Sequence, residues 1–215
     1  MYGNKRSRAE ITVDNTERRK IVKITASLPS RISNAHKKKK VETSPHDHFI
    51  NILVKRGYNT NLTTSMNALP SNVTRERTKC YVHENIALVR SRDVLKLASK
   101  HATGECVNPC NQFGESLLHM ACRRGFTEVV SFFVKDCEES IRIRDDYGRT
   151  PLHDAFWTAD PQFELIELLV LVDPSLLLMK DKRDHCPLHY VREQHWGSIN
   201  QFFTDNQDIM FPSQI

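Results

Sequence analysis

Apolar residues recur at helical spacing in the second half of the chain. Three segments there carry this pattern: FTEVVSFFVKDC (126–137), PQFELIELLVLVD (161–173) and GSINQFFTDN (197–206). Each segment follows a shorter apolar run that can form a first helix, so each unit is predicted to be a turn, a short helix and a second helix. The first 80 residues, in contrast, show no sustained period of 2 or 3.6 residues.

A further helical pair is predicted immediately upstream of these units. The segment ENIALVRSRDVLKLASKHATG (84–104) carries apolar residues at helical spacing. Asp93 or Ser91 can cap its second helix, and Gly104 can end it. The pair is either a degenerate repeat that closes the N-terminal end of the array or a flanking element outside it.

The first helices belong to three copies of one motif. The copies are NQFGESLLHMACRRGF from Asn111, DDYGRTPLHDAFWTAD from Asp145 and DKRDHCPLHYVREQHW from Asp181, with offsets of 34 and 36 residues. Three histidines occupy one position of this register: His119, His153 and His189. In the middle copy, Thr150 can cap a helix, Pro151 suits its first position, and Gly148 supplies the turn before it.

This register resembles the ankyrin repeat, whose motif is D-x-x-G-x-T-P-L-H-x-A. The middle copy, DDYGRTPLHDA, matches the motif at every fixed position, whereas the third copy has Asp184 for Gly, Cys186 for Thr and Val191 for Ala. The first copy departs at three positions: Asn111, Ser116 and Leu117. The resemblance covers residues 85–205. It implies an all-α ankyrin-repeat solenoid of helix-turn-helix units, which must stack to bury their apolar faces.

The shared histidine is a candidate for either chemistry or structure. Equivalent residues on stacked repeats lie about 8–10 Å apart, whereas zinc holds its nitrogen ligands at about 2.0–2.1 Å, so the three histidines cannot share a metal. The resemblance implies that His119, His153 and His189 hydrogen-bond backbone groups of their own turn and of the neighbouring repeat. The family usually has an apolar residue where this chain has Asp154. That acid either reaches solvent, pairs with a base such as Arg149 or belongs to a binding site.

Other candidate ligands and catalytic groups do not form a complete set. CVNPC pairs Cys106 with Cys110, but no second pair at zinc spacing follows among the six cysteines. His46 and His48 in PHDH are interpreted as chance neighbours. No base and nucleophile share a recognised motif. The chain is therefore predicted to have no metal, no cofactor and no enzymatic activity.

Charge divides the chain into two parts. Residues 1–80 hold 17 Lys and Arg against 6 Asp and Glu, whereas residues 81–215 hold 14 against 20. The sequence predicts a basic, mostly disordered segment over 1–80, an ankyrin-repeat domain over 81–205 and a C-terminal tail over 206–215. The basic clusters of the first segment are a nuclear-import signal, a weak phosphate-binding patch or a solvated tail.

The sequence shows neither a secretory signal nor a membrane span. MYGNKRSRAE has no apolar stretch after its charges. The most apolar run, LIELLVLVDPSLLLM (165–179), contains Glu167 and Asp173 and is broken by Pro174. A monomeric intracellular protein of the cytoplasm or nucleus, with reduced thiols, is expected.

Function is predicted from the surface that an ankyrin stack presents. The resemblance implies a concave protein-binding groove made of turn tips and first-helix side chains. Its candidate residues are Gln112, Phe113, Arg123, Arg124, Asp146, Tyr147, Trp157, Lys182 and Arg183. Phe113, Tyr147 and Trp157 would form an aromatic line, unless Trp157 packs against the second helix.

Two classes of function follow from this organisation. In the first, the chain is a protein–protein interaction module or adaptor that binds another protein through the concave ankyrin groove. In the second, it is a nuclear or chromatin-associated accessory protein whose basic tail over 1–80 contacts nucleic acid. DNA retention by the tail alone, sensitive to salt, would favour the second class.

Overall fold

The structure, a computed structural model, describes residues 42–60 and 75–214. Residues 1–41, 61–74 and 215 lie outside this description. Most of the segment predicted to be disordered, including its basic clusters, therefore lies outside the described residues.

Nine α-helices form the described part of the chain. They are α1 (Pro45–Lys55), α2 (Arg75–Lys79), α3 (His83–Ser91), α4 (Val94–Ala102), α5 (Leu117–Arg124), α6 (Thr127–Ser131), α7 (Pro151–Phe156), α8 (Phe163–Val172) and α9 (Trp196–Met210). α6 continues as a π-helical turn over Phe132–Asp136, and 3₁₀ turns cover Pro174–Leu178, Pro187–Tyr190 and Glu193–His195. Within residues 42–60 and 75–214, no helix is long and apolar enough to cross a membrane.

The helices stack in two rows. In the first row, α5 packs against α7, and α7 packs against the 3₁₀ turn Pro187–Tyr190. In the second row, α6 packs against α8, and α8 packs against α9. Leu118, Leu152 and Leu188, from one position of the repeat register, are all buried in the core. The predicted all-α stack of repeated units is therefore confirmed for these residues, and each unit depends on its neighbour for burial.

The upstream helical pair extends this stack. α3 packs against α4 and against α5, and the side chains of Val89 and Leu97 are fully buried. Asp93 caps α4 by accepting a hydrogen bond from the Lys96 N–H at 3.1 Å. The pair thus occupies the position of an N-terminal repeat.

The third unit departs from the predicted turn, short helix and second helix. Its first helix is reduced to the 3₁₀ turn Pro187–Tyr190, because Val191 adopts an extended conformation with φ −67° and ψ 125°. The Val191 carbonyl accepts a hydrogen bond from the Trp196 indole N–H at 3.2 Å instead of one from a further helical turn. The prediction of a first α-helix is wrong here, where a β-branched residue replaces the alanine of the motif.

The prediction of disorder in the first 80 residues is wrong for residues 75–80, where α2 forms, and for residues 42–60. This segment forms α1, in which Phe49, Ile52 and Leu53 share one buried face. The Phe49 ring lies 5.6 Å from the ring of Phe203 in α9. The sequence indicates no more than transient folding of HFINILVKRGY (48–58), because the apolar surface that covers this helix lies near the other end of the sequence.

The last residues do not form the predicted separate tail (206–215). α9 extends to Met210, whose side chain is buried together with that of Phe211. The predicted domain over 81–205 is therefore too short at both ends, because α1 and the end of α9 belong to the same core.

Candidate interaction surface

The turn of each unit is organised by its first polar residue. The Asp145 carboxylate accepts hydrogen bonds from the backbone N–H groups of Tyr147 (2.9 Å) and Arg149 (2.8 Å). Asn111 and Asp181 hold their own turns through the same pair of backbone donors. Each turn is thereby fixed by local hydrogen bonds.

Adjacent turn tips are joined by backbone hydrogen bonds. The Asp146 N–H donates to the Phe113 carbonyl at 2.8 Å, and the Lys182 N–H donates to the Tyr147 carbonyl at 2.8 Å. The tips form one row, in which Phe113 is 55% exposed and Tyr147 is 54% exposed. Both tip aromatics are therefore open to solvent.

His153 fastens the middle unit to the unit that follows. Its Nδ1 accepts a hydrogen bond from the Thr150 N–H at 3.0 Å, and its Nε2–H donates to the His185 carbonyl at 3.2 Å. Because one ring nitrogen accepts and the other donates, we assign the neutral Nε2–H tautomer. Burial lowers the pKa of His153 to about 4, so the ring stays neutral at physiological pH.

His119 makes the equivalent pair of hydrogen bonds. Its Nδ1 accepts from the Ser116 N–H at 3.2 Å, and its Nε2–H donates to the Arg149 carbonyl at 3.1 Å. Burial also lowers the pKa of His119 to about 4. The structural role implied for these two histidines is confirmed, and both ring nitrogens of each are already engaged.

His189 is not equivalent to the other two. Its Nδ1 accepts from the Cys186 N–H at 3.0 Å, but its side chain is exposed. No carbonyl among the described residues accepts a hydrogen bond from its Nε2. In the earlier units that carbonyl comes from the next repeat, whereas here α1 packs against the 3₁₀ turn instead.

A pocket of 310 Å³ lies beside the tips of the middle and last units. Three aromatic residues and three arginines line it: Tyr147, Trp157, Tyr190, Arg123, Arg149 and Arg183. The Arg149 guanidinium lies 5.2 Å from the centroid of the Tyr147 ring and 5.0 Å from that of the Trp157 ring. The wall of the pocket is thus a guanidinium held between two aromatic faces.

The three arginines differ in how much of their charge is compensated. Arg123 pairs with Glu115, and Arg149 pairs with Asp145 at 2.6 Å. Within the part of the chain that the structure describes, no carboxylate forms an ion pair with Arg183. Arg183 therefore leaves a positive charge at the edge of the pocket.

A buried carboxylate lies next to the pocket arginines. Asp154 is fully buried, its Oδ2 is 3.7 Å from Nη1 of Arg123, and neither oxygen has a hydrogen-bond partner among the described residues. Burial raises the pKa of Asp154 to about 7, although Arg123 and Arg149 act in the opposite direction. Asp154 therefore does not reach solvent, and its loose ion-pair partner is Arg123, because Arg149 is taken by Asp145.

The structure gathers part of the predicted groove around the pocket. Four predicted residues line it: Arg123, Tyr147, Trp157 and Arg183. Five lie exposed outside its lining: Gln112, Phe113, Arg124, Asp146 and Lys182. Trp157 is 44% exposed, and its ring lies 5.7 Å from that of Tyr190 in the next unit.

Sequence reasoning missed Arg149 and Tyr190 as parts of this surface. The sequence indicates Arg149 only as an ion-pair partner for the acid Asp154 of its own unit. Tyr190 directly follows the shared histidine, in the register position that Asp154 occupies in the middle unit. The residue type at this position could have indicated the surface, because both units carry a polar or amphipathic side chain where an apolar helix face is expected.

The comparisons with known proteins agree with this geometry. A model of ankyrin repeats matches residues 86–176 in three copies, and a search of curated proteins found no match. The matched region begins within α3, so it includes the upstream helical pair, and it ends before the unit that starts at Asp181. The stacked helix pairs within residues 86–176 are therefore ankyrin repeats.

Proposed function

We propose that the described unit binds a segment of another protein in the pocket formed by its three arginines and three aromatic residues. Ankyrin repeats generally mediate protein–protein interaction and are typically non-enzymatic. The observation that carries the proposal is the pocket itself, in which exposed aromatic faces lie beside an arginine without a carboxylate partner in the described residues.

The pocket favours a partner segment that presents a carboxylate beside an apolar or aromatic side chain. Arg183 offers a planar set of donors that matches a carboxylate. Tyr147 and Trp157 offer flat faces for an apolar group. Because Arg149 is already held by Asp145 at 2.6 Å, binding orders few additional side chains on this surface.

The alternative of nucleic-acid contact rests on the basic clusters at the start of the chain. Those clusters precede residue 42 and lie outside the described residues. The proposal is therefore built on the pocket alone.

The test is a binding measurement with single variants of the full chain. Proteins retained by the immobilised chain are identified, and the most strongly retained one is purified and titrated. Tyr147→Ala and Arg183→Ala should each weaken binding by about 30-fold, the effect of about 2 kcal/mol expected at a hot spot. Arg192→Ala removes an exposed arginine outside the pocket lining and should change the affinity by less than about twofold.

Two further measurements distinguish binding in the pocket from unfolding of the variants and from binding along the tip row. Both pocket variants should unfold within about 0.5 kcal/mol of the wild type, because the truncated side chains are exposed. Phe113→Ala removes an exposed tip aromatic outside the lining and should bind normally. Unchanged affinity of Tyr147→Ala and Arg183→Ala would refute the pocket, and an equal loss in Phe113→Ala would place the site along the whole tip row.

A further inference from the structure

The last unit of the stack differs from the middle unit at the residue that caps its first helix. In the middle unit, the helix-capping hydroxyl of Thr150 lies 2.9 Å from Nδ1 of His153. In the last unit, a thiol, Cys186, takes the place of that hydroxyl beside His189. In the last unit, a thiol sulfur and an imidazole nitrogen therefore lie side by side where the middle unit has a hydroxyl and an imidazole. Both of these atoms are common metal ligands.

His189 is also the shared histidine whose second bond is absent within the described residues. His119 and His153 each donate from Nε2 to a carbonyl of the following unit. His189 is exposed and makes no such bond, so a movement of its ring does not break a hydrogen bond to a following unit.

A third candidate ligand comes from the helix that covers this end. His46, in the first turn of α1, places its ring 4.1 Å from the ring of His189, measured between centroids. Its Nδ1 is buried and has no hydrogen-bond partner in the described part of the chain. A buried ring nitrogen without a partner is uncommon in folded proteins, and a bound ion would account for it.

We propose that His46, Cys186 and His189 form a binding site for a divalent transition-metal ion, with zinc as the expected ion. Candidate ligand atoms of the three side chains lie within 4.8 Å of one another. Around a tetrahedral zinc ion the corresponding atoms would be about 3.3–3.6 Å apart. A pair at the 4.8 Å limit would have to approach by about 1 Å on binding, and the exposed His189 side chain makes no hydrogen bond to a following unit that would oppose such a shift.

The donor set determines which cations fit. Two imidazoles and one thiolate suit zinc and similar ions, whereas magnesium and calcium prefer oxygen ligands. Burial raises the pKa of the Cys186 thiol to about 11, so the free thiol is protonated at neutral pH. Binding of the ion displaces this proton to solvent and leaves a metal–thiolate bond. Because His189 is exposed, the fourth position of the ion is open to water.

Metal binding would join α1 to the last unit. His46 belongs to α1, whereas Cys186 and His189 belong to the 3₁₀ turn and its cap. An ion that binds only the folded arrangement stabilises it by mass action. The site is distinct from the pocket, and neither proposal depends on the other.

The test is a titration of the metal-free full chain with Co²⁺, which reports thiolate coordination by a charge-transfer absorption band. The wild type should develop this band to saturation at one ion per chain, and zinc should remove it. Cys186→Thr introduces the residue that the middle unit uses at this position, so it should fold normally and lose the band. Cys106→Ser, which breaks up the CVNPC pair, should keep the band and serves as the matched control.

A second variant and a second readout complete the test. His46→Gln alters only α1 and should weaken Co²⁺ binding at least tenfold, with an unchanged circular dichroism spectrum. Zinc should raise the melting temperature of the wild type but not that of Cys186→Thr. The proposal is overturned if the wild type shows no band, if Cys186→Thr keeps it, or if Cys106→Ser loses it. If Cys186→Thr does not fold, unchanged Co²⁺ affinity in His46→Gln overturns it.

Discussion

The middle and last units share their turn but not their first helix. Asp145 and Asp181 accept the same pair of backbone N–H groups, and His153 and His189 both accept from the N–H of the capping residue at 3.0 Å. Only His153 is buried and bonded to a following unit. The comparison shows that the turn is determined by local sequence, whereas the first helix and the burial of its histidine depend on a following repeat.

The largest expected effect concerns the helix that replaces a following repeat. Phe49 is 1% exposed in α1 and lies 5.2 Å from the ring of Phe211. Phe49→Ala should lower the free energy of unfolding by about 3–5 kcal/mol, because it leaves a cavity in the shared core. Urea denaturation measures this loss. Val54→Ala, on the same helix but 59% exposed, is the control and should stay within about 0.5 kcal/mol of the wild type.

The two histidines provide the direct test of the comparison. His153→Ala should cost about 2–3 kcal/mol of stability, because it leaves the buried Thr150 N–H and the partly buried His185 carbonyl without their partner. His189→Ala, measured in the presence of a chelator, should cost less than about 1 kcal/mol, because its side chain is exposed. Equal losses in the two variants would show that the last unit relies on its histidine as much as the middle unit does.

A buried acid distinguishes the middle unit as well. The pKa of Asp154 is raised from 3.8 to about 7 in the folded state, so between these values the folded protein holds a proton that the unfolded chain has released. The free energy of unfolding therefore falls as the pH rises through this window. Asp154→Asn cannot ionise and so lacks this loss of stability. The free energy of unfolding of Asp154→Asn, relative to that of the wild type, should therefore rise by about 2 kcal/mol from pH 5 to pH 7.

The comparison between variant and wild type is needed for this measurement, because the buried histidines act in the opposite direction. Their pKa is lowered to about 4, so they make the protein more stable as the pH rises towards 6.5. This contribution is the same in both proteins and cancels. A stability difference independent of pH would mean that Asp154 ionises freely in the folded state.

The smallest effect lies in the turn of the last unit. Asp184 has φ 65° at the position where Gly148 has φ 78°. Side chains disfavour this left-handed conformation, so Asp184→Gly should raise the free energy of unfolding by about 0.5 kcal/mol. The exposed Lys180–Asp184 ion pair at 2.9 Å is lost but contributes little. A net destabilisation in urea denaturation would show that the ion pair outweighs the backbone preference.

The sequence was informative where the determinants lie within one unit. The motif around Thr150 and His153 predicted the turn, the start of α7 and the role of the histidine. The contacts that determine these features either join residues at most five positions apart or join the histidine to the equivalent carbonyl of the next copy. The exposure of Phe113 and Tyr147 followed from their position in the same register.

The sequence was not informative where a contact joins distant segments. α1 was assigned to a disordered segment because its apolar face is covered by α9, and no local pattern identifies that partner. The pocket combines side chains from three successive units, so Arg149 and Tyr190 were not recognised. His46 and His189 lie 143 positions apart in the sequence, and only the fold brings their rings together.

The contact between the two ends of the described unit has a consequence for biosynthesis. Tyr58, just after α1, donates a hydrogen bond from Oη to the Pro212 carbonyl at 2.8 Å, across 154 positions of sequence. At about 5–20 residues per second, the ribosome needs roughly 8–30 s to make the intervening chain. The apolar face of α1 remains uncovered during this time, so chaperone binding during translation should concentrate on α1 rather than on the repeats that follow it.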